Sequence, residues 1–242
     1  MKEVRFFYVP NAGSEHELPE EEAQHAVRVL RMQMGDEMML MDGEGTFYKA
    51  EVAESTKKRC LYNIKDVLPQ PRQWQPHLHL AMAPTKNMDR TEWLAEKATE
   101  IGFDELSFLR CKFSERTVVK SERVDKILVS AMKQSHKAWK PILNEMCDFR
   151  DFLRQQSDKP GDKFICHCYD EIPRQDFFDI INNEDTAENI TVIVGPEGDF
   201  SREEVALAVE KGFVPVHLGP SRLRTETAAV TAVEAVYLKA FC

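Results

Sequence analysis

The chain has 242 residues, 43% of them hydrophobic and 30% charged, which supports a buried core in one large or two small domains. No run of eighteen apolar residues is present, which excludes a helical membrane span, and the N-terminus MKEVRFFYVPNAGSEHE lacks an apolar signal core, so a cytoplasmic protein with six reduced cysteines is expected. The net charge of −9 argues against a nucleic-acid partner, but residues 110–140 carry a local +6, the balance of either a phosphate-facing strip or a solvated helix face.

In chain order, residues 5–9 alternate as a strand. Pro19 with Glu20, Glu21 and Glu22 opens a helix, proline in the first turn and acids against the positive helix end. Its apolar stripe, Ala23, Ala26, Val27 and Leu30, carries it to about Met32. His25, Arg28 and Arg31 fall three apart and share one broad face, which suits either RNA contact or a structural role. Residues 37–42 and 46–53 read as strands around a Gly43-Glu44-Gly45 turn, and residues 60–68 as another. Short strands over some sixty residues suggest a small β-barrel. Gly43 and Gly45 do not make a dinucleotide fingerprint, because Tyr48 stands where the third glycine belongs.

Pro69, Pro71 and Pro76 mark a stiff linker, which places a domain boundary between residues 70 and 77. Beyond it strands alternate with helices, the pattern of an α/β domain with a mainly parallel sheet. Residues 77–83 read as a strand, 89–101 as a helix ended by Gly102, and 105–109 as a strand. Val124, Ile127, Leu128, Ala131 and Met132 form the stripe of an amphipathic helix that packing alone explains. Residues 148–190 say less. Residues 164–169 read as a strand, whose alternation sends Cys166 and Cys168 to one face and His167 to the other; no metal site is expected. Residues 158–162 read as a turn and 182–189 as a polar loop.

The last fifty residues are the most informative. Strand-like residues 191–194 run into Gly195-Pro196-Glu197-Gly198. Ser201 and Glu204 form a capping box at the start of a helix, and Gly212 is placed to end it. Residues 214–218 form a short strand that Pro215 keeps from full pairing on both sides. The loop Gly219-Pro220-Ser221-Arg222-Leu223-Arg224 follows, then Thr225 as the cap of a closing helix. That helix is apolar almost all round, as for one buried on several sides. Two tight loops thus leave strand C-termini ahead of helices, where ligands bind in open α/β sheets.

The motifs GPEGDFS and LGPSRLRTETA resemble the two C-terminal signatures of the SPOUT methyltransferases, and most closely the bacterial uridine-N3 methyltransferases of 16S ribosomal RNA. Lys86, Glu92, Trp93, Lys97, Thr99, Glu100 and Gly102 match the same family, as do Ser114, Glu115 and Arg116. Two departures stand out. Asp199 replaces a usual second glycine, and Ser221-Arg222 replaces a usual arginine-isoleucine pair. The resemblance implies a PUA-like RNA-binding β-barrel over residues 1–70 and an α/β SPOUT domain with a deep trefoil knot over 77–242. It implies S-adenosylmethionine as cofactor, a homodimer, and 16S ribosomal RNA, in an assembled small subunit, as partner.

By motif position the cofactor would meet Gly195, Pro196, Glu197, Gly198, Leu218, Gly219, Leu223, Arg224, Thr225, Thr227 and Ala228, with residues 81–84, Ala83 among them, lining the same pocket. The neutral imide N3 is a poor nucleophile, so its proton must be lost. Glu197 would act on that proton. Arg224 would stabilise the anionic base or hold a phosphate, and Glu226 would complete the helix start. Arg5, His25, Arg28, Arg31, Lys86 and Arg116 are the candidates for RNA contact. Two other readings stay open: a ribose 2′-O or guanine methyltransferase of the same superfamily, and a non-catalytic RNA-binding protein. An unrelated phosphate-binding enzyme is disfavoured by the absence of a Walker loop.

Overall fold

The computed structural model describes residues 4–183 and 187–239. The chain divides into two compact units, Met1–Arg72 with Val129–Lys140, and Gln73–Leu128 with Pro141–Cys242. The first unit therefore takes a segment from the middle of the chain.

In the first unit β1 (Arg5–Tyr8), β2 (Glu37–Met41), β3 (Thr46–Ser55) and β4 (Cys60–Pro69) make one sheet in that order. β1 and β2 run parallel and the other pairs antiparallel. Residues 16–18 cover β4, with Tyr62 N–H donating to His16 O and Leu18 N–H to Cys60 O, both at 2.9 Å. Alternate strand residues face inward, so Phe7, Met38, Leu40, Ala50, Val52 and Tyr62 form the core. The segment from the middle of the chain packs here too. His136 stacks on Phe6 at 4.1 Å, and the Trp139 ring lies so close to Gly45 that an added Cβ would sit 2.2 Å from it.

The helix expected to reach Met32 differs. α1 (Glu20–Gln24) gives way to a π-helical turn over His25–Val29, closed by the Leu30 N–H donating to His25 O at 3.0 Å. Arg31 then takes φ 54, a left-handed cap that ends the helix and returns Met32 to the core. The wider turn and the cap break the 3.6-residue repeat, so His25, Arg28 and Arg31 do not share a regular helical face.

The second unit holds β5 (His77–Met82), α2 (Met88–Ile101), β6 (Glu105–Arg110), the start of α3 (Ser121–Gln134), β7 (Ile142–Leu143), β8 (Cys147–Asp148), α4 (Phe149–Ser157), β9 (Asp162–Cys166), β10 (Gln175–Asp176), α5 (Phe177–Asn183), β11 (Asn189–Val194), α6 (Arg202–Glu210), β12 (Val214–His217) and α7 (Thr225–Lys239). The sheet is parallel, in the order β10-β12-β9-β11-β5-β6-β7, with β8 pairing the end of β6. β5 and β11 lie at its centre and are buried along nearly their whole length, as strands covered on both faces must be. On one face α2, α3, α5 and α7 supply Leu94, Leu128, Phe177 and Val233. On the other α4 and α6 supply Phe152, Leu153, Val205 and Ala208.

Several local features follow the sequence reading. The Ser201 side chain accepts from Glu204 N–H at 3.3 Å while Glu204 Oε2 accepts from Ser201 N–H at 2.7 Å. Gly102 and Gly212 end helices at φ 133 and 84. Pro215 pairs with Ile165 of β9, and β10 pairs only with the two residues after it. Other features differ. α7 already begins at Thr225, and the Arg224 carbonyl accepts the first helical bond, from Ala228 N–H at 2.8 Å, so Arg224 occupies the cap position. The strand expected over 164–169 ends at Cys166, so strand alternation does not decide where His167 and Cys168 point. The polar loop expected over 182–189 is in part α5, and residues 184–186 of it lie outside the described residues. The linker is also anchored. Trp74 is buried and its indole N–H donates to Asp104 Oδ2 at 3.0 Å, which also accepts from Leu78 N–H.

Candidate functional site

Neighbouring strands β12, β9 and β11 end at one edge of the sheet, and the loops leaving them enclose a cavity of about 310 Å³. The volume lies at the lower end of the range of small-molecule sites. β11 contributes Gly195, Pro196, Glu197 and Asp199; β12 contributes Leu218, Gly219, Leu223, Arg224, Thr225 and Ala228. Both loops legible in the sequence therefore meet in one cavity. Ala83, Gly198 and Thr227 are not among its lining residues. Ala83 is buried beside it, its N–H donating to Val194 O at 3.0 Å. Gly198 packs on Phe113, and Thr227 is exposed on α7.

Sequence reasoning missed the third wall, Cys166 at the end of β9, His167, Cys168 and Arg174 from the loop after it, and Arg90 from α2. β9 itself was legible as a strand. What placed its loop here is the sheet order, which puts β9 between β11 and β12. His167 is buried, and its Nδ1 accepts the Tyr169 N–H at 3.2 Å, which leaves the other ring nitrogen, Nε2, as the donor. That Nε2 is buried without a partner. Burial lowers the pKa of this ring and pushes the Cys166 thiol up to about 12, so the wall presents a neutral imidazole and a protonated thiol.

The chemistry of the cavity fits a nucleoside cofactor. Gly219 has φ 97, and a Cβ added there would meet no atom within 4 Å. The backbone is thus bare beside the cavity, as close approach of a ring requires. The orphaned His167 nitrogen adds a buried donor in its wall. Arg224 is exposed at the rim.

Lys86 and Arg116 serve as braces between loops. The Lys86 N–H donates to Glu197 Oε1 at 2.8 Å, and its ammonium pairs with Glu115 at 2.6 Å, which raises the lysine pKa. Arg116 donates to the carbonyls of Thr85 and Lys86, at 3.1 and 2.6 Å. In the first unit, Arg5, His25, Arg28 and Arg31 are exposed; Arg28 Nε donates to Lys57 O at 3.4 Å. Much of the basic strip is neutralised by carboxylates: Arg110 by Asp148, Lys112 by Glu203, Arg123 by Glu92 and Lys133 by Glu22. The strip is thus closer to a solvated, ion-paired surface than to a bare phosphate track. Among the described residues no group of three His, Cys, Asp or Glu side chains converges as a metal site would need.

The family profile of the RNA methyltransferase domain matches residues 72–237. The chain belongs to the RNA methyltransferase domain family. The profile of the RNA methyltransferase PUA domain matches residues 18–65. Among solved structures, the chain is similar to a probable rRNA-methyltransferase from Porphyromonas gingivalis, 36% identical with a TM-score of 0.90 over 99% of each chain. It is also similar to the ribosomal RNA small subunit methyltransferase E of Neisseria gonorrhoeae, solved bound to S-adenosyl methionine, 26% identical with a TM-score of 0.81 over 96% of each chain. The enzyme of that name from Rickettsia conorii is 28% identical over 93% of this chain and 91% of its own. Members of the family thus share both units of this chain, and one neighbour holds the cofactor that the cavity suits. No helix among the described residues is long and apolar enough to cross a membrane.

Proposed function

We propose that this protein transfers the methyl group of S-adenosylmethionine to N3 of a uridine in the 16S ribosomal RNA of the small subunit. The observation that carries the reading is the cavity at the ends of β9, β11 and β12, where two glycine loops and Arg224 meet. The names of the relatives and the cofactor in the gonococcal structure support it. When bound, the cofactor supplies a methyl group already activated on a sulfonium.

The protein's own residues have three tasks. Backbone groups of residues 195–197 and 218–219 hold the adenine, and the bare Gly219 lets it approach. Arg224 at the rim stabilises negative charge as the base loses its N3 proton, or holds the adjoining phosphate. Glu197 takes that proton through Oε2, since Oε1 already accepts from Lys86 N–H. The base edge is hidden in a pair, so the target uridine must be unpaired or flipped.

We assign residues 1–70 as the PUA-like RNA-binding domain, with Arg5, His25, Arg28 and Arg31 facing RNA, and residues 77–242 as the SPOUT domain. A trefoil knot fits the path of the chain: β12 lies beyond β9, yet α7 returns to pack on α2 and β5. The enzyme acts in the cytoplasm on assembled subunits and as a homodimer, for which exposed Trp93 and Leu238, on the packed helices α2 and α7, offer apolar contact. The test is a nucleoside digest of 16S ribosomal RNA from cells with and without the gene. N3-methyluridine should disappear on deletion and return on complementation; an unchanged digest would contradict the assignment.

A further inference from the structure

Asp199 adopts φ 66, one of three non-glycine residues with positive φ among the described residues. Aspartate tolerates this conformation better than most side chains, yet it is a strained choice. The residue lines the cavity. Its Oδ2 accepts the Cys168 N–H at 2.8 Å and its Oδ1 the Phe200 N–H at 2.7 Å. Each oxygen keeps a further lone pair.

Three other charged groups at the cavity are answered locally, while Arg222 and Arg224 line it from the loop after β12. Arg90 faces Glu226 at 3.6 Å, and Arg174 faces Asp170 at 2.8 Å while donating to His167 O. Glu197 accepts from Lys86 N–H and lies in the field of the Lys86 ammonium. Asp199 has no ion-pair partner among the described residues. His167 beside it does not supply the missing charge, because burial favours its neutral form. The wall therefore carries, in Asp199, a carboxylate that is hydrogen-bonded to backbone and makes no ion-pair contact among the described residues. A buried or half-buried charge of this kind is stabilised when a ligand brings the opposite charge.

We propose that Asp199 is a specificity-determining residue that answers the permanent positive charge of the sulfonium, so that the cavity favours S-adenosylmethionine over the neutral thioether left after transfer. This rests on the cofactor reading given above. Substrate and product share the adenosine and the amino-acid end, and differ in the methyl group and the charge at sulfur. A carboxylate that responds to this charge therefore adds to the hold on the substrate and adds nothing to the hold on the product.

The neighbouring loops do not depend on Asp199 alone. The Tyr169 hydroxyl donates to Phe200 O at 2.6 Å, and Arg202 Nε bonds Glu171 at 2.9 Å, so both loops stay joined when the carboxylate is removed. Asp199→Asn removes the charge at nearly constant volume and keeps, through its amide oxygen, one of the two backbone bonds. Asp199→Gly removes the charge and relieves the positive φ.

The experiment is calorimetric titration of the full-length protein and both variants with three ligands: S-adenosylmethionine, S-adenosylhomocysteine and sinefungin, which carries an amine where the methyl-sulfonium stands. In both variants the two cationic ligands should weaken by about fivefold to tenfold, the order for one charge contact in a partly screened site, with the homocysteine compound unchanged. Equal weakening of all three would make Asp199 a brace for the loops and overturn the proposal. Unchanged affinities would overturn it as well. Failure of the wild type to bind any of the three would reject the cofactor reading itself, and with it this inference.

Discussion

His79 lies inside the sheet with 4% of its surface exposed. Its Nε2 is 2.8 Å from Ser107 Oγ, which in turn accepts from Asn144 at 2.9 Å. Glu105 lies 3.6 Å from Nδ1 and favours the protonated ring, but burial outweighs it and lowers the pKa from 6.5 to about 4. The pair is therefore not an ion pair at neutral pH. Above pH 6.5 the histidine is neutral in both folded and unfolded chains. As pH falls from there towards 4, the unfolded chain takes up a proton that the folded chain refuses, and stability drops. Between about pH 7.5 and about pH 5 this one group removes about 2 kcal/mol, and below its folded pKa about 3 kcal/mol in all. Urea unfolding of the wild type and His79→Asn at those two pH values isolates the effect, because every other titrating group is common to both. The wild type should lose about 2 kcal/mol more than the variant on acidification. An equal loss in both proteins would refute the argument. Methyl transfer at neutral pH should be little affected, since His79 lines no part of the site.

Three further outcomes are expected. Arg224→Ala should lower kcat/KM by about a hundredfold or more with an unchanged melting temperature, and normal turnover would remove Arg224 from the chemistry. The double change Arg28→Ala/Arg31→Ala should weaken RNA binding and flatten the dependence of log affinity on log salt by about one unit for each phosphate that these arginines neutralise, with cofactor titration unaltered. Trp74→Phe loses the bond to Asp104 together with the buried pyrrole part of the indole, which should cost at least about 1.5–3 kcal/mol in denaturant unfolding; a smaller loss than about 0.5 kcal/mol would show that the linker is not anchored there.

Features coded by neighbouring residues were legible. The capping box of Ser201 and Glu204 needs only a spacing of three, and the Gly102 and Gly212 caps need only a residue free to adopt positive φ. The two glycine loops could be found for the same reason, each being a strand end followed by a helix start. Features set by pairing between distant segments were not. Nothing within 162–174 tells that β9 lies between β11 and β12, so the His167 wall of the cavity escaped notice. The bond from Trp74 to Asp104 joins positions thirty residues apart, and a proline-rich composition alone reads as linker. The π-helical turn at His25–Val29 escaped because its apolar stripe also suits a regular helix. Charge counting at residues 110–140 could not choose between a phosphate-facing strip and a solvated face, since the carboxylates that pair with Arg110, Lys112, Arg123 and Lys133 all come from outside that stretch. Asp199 shows the reverse case. A departure from the family pattern marked it in the sequence, and its positive φ explains why glycine suits that position.

The most direct test of the account is methyl transfer from labelled S-adenosylmethionine to small ribosomal subunits that lack native methylation, followed by digestion and mass spectrometry of the labelled nucleoside. N3-methyluridine is the predicted product. A labelled ribose or guanine would contradict the assigned acceptor atom, and subunits left unlabelled by a protein that binds the cofactor would contradict the assigned substrate.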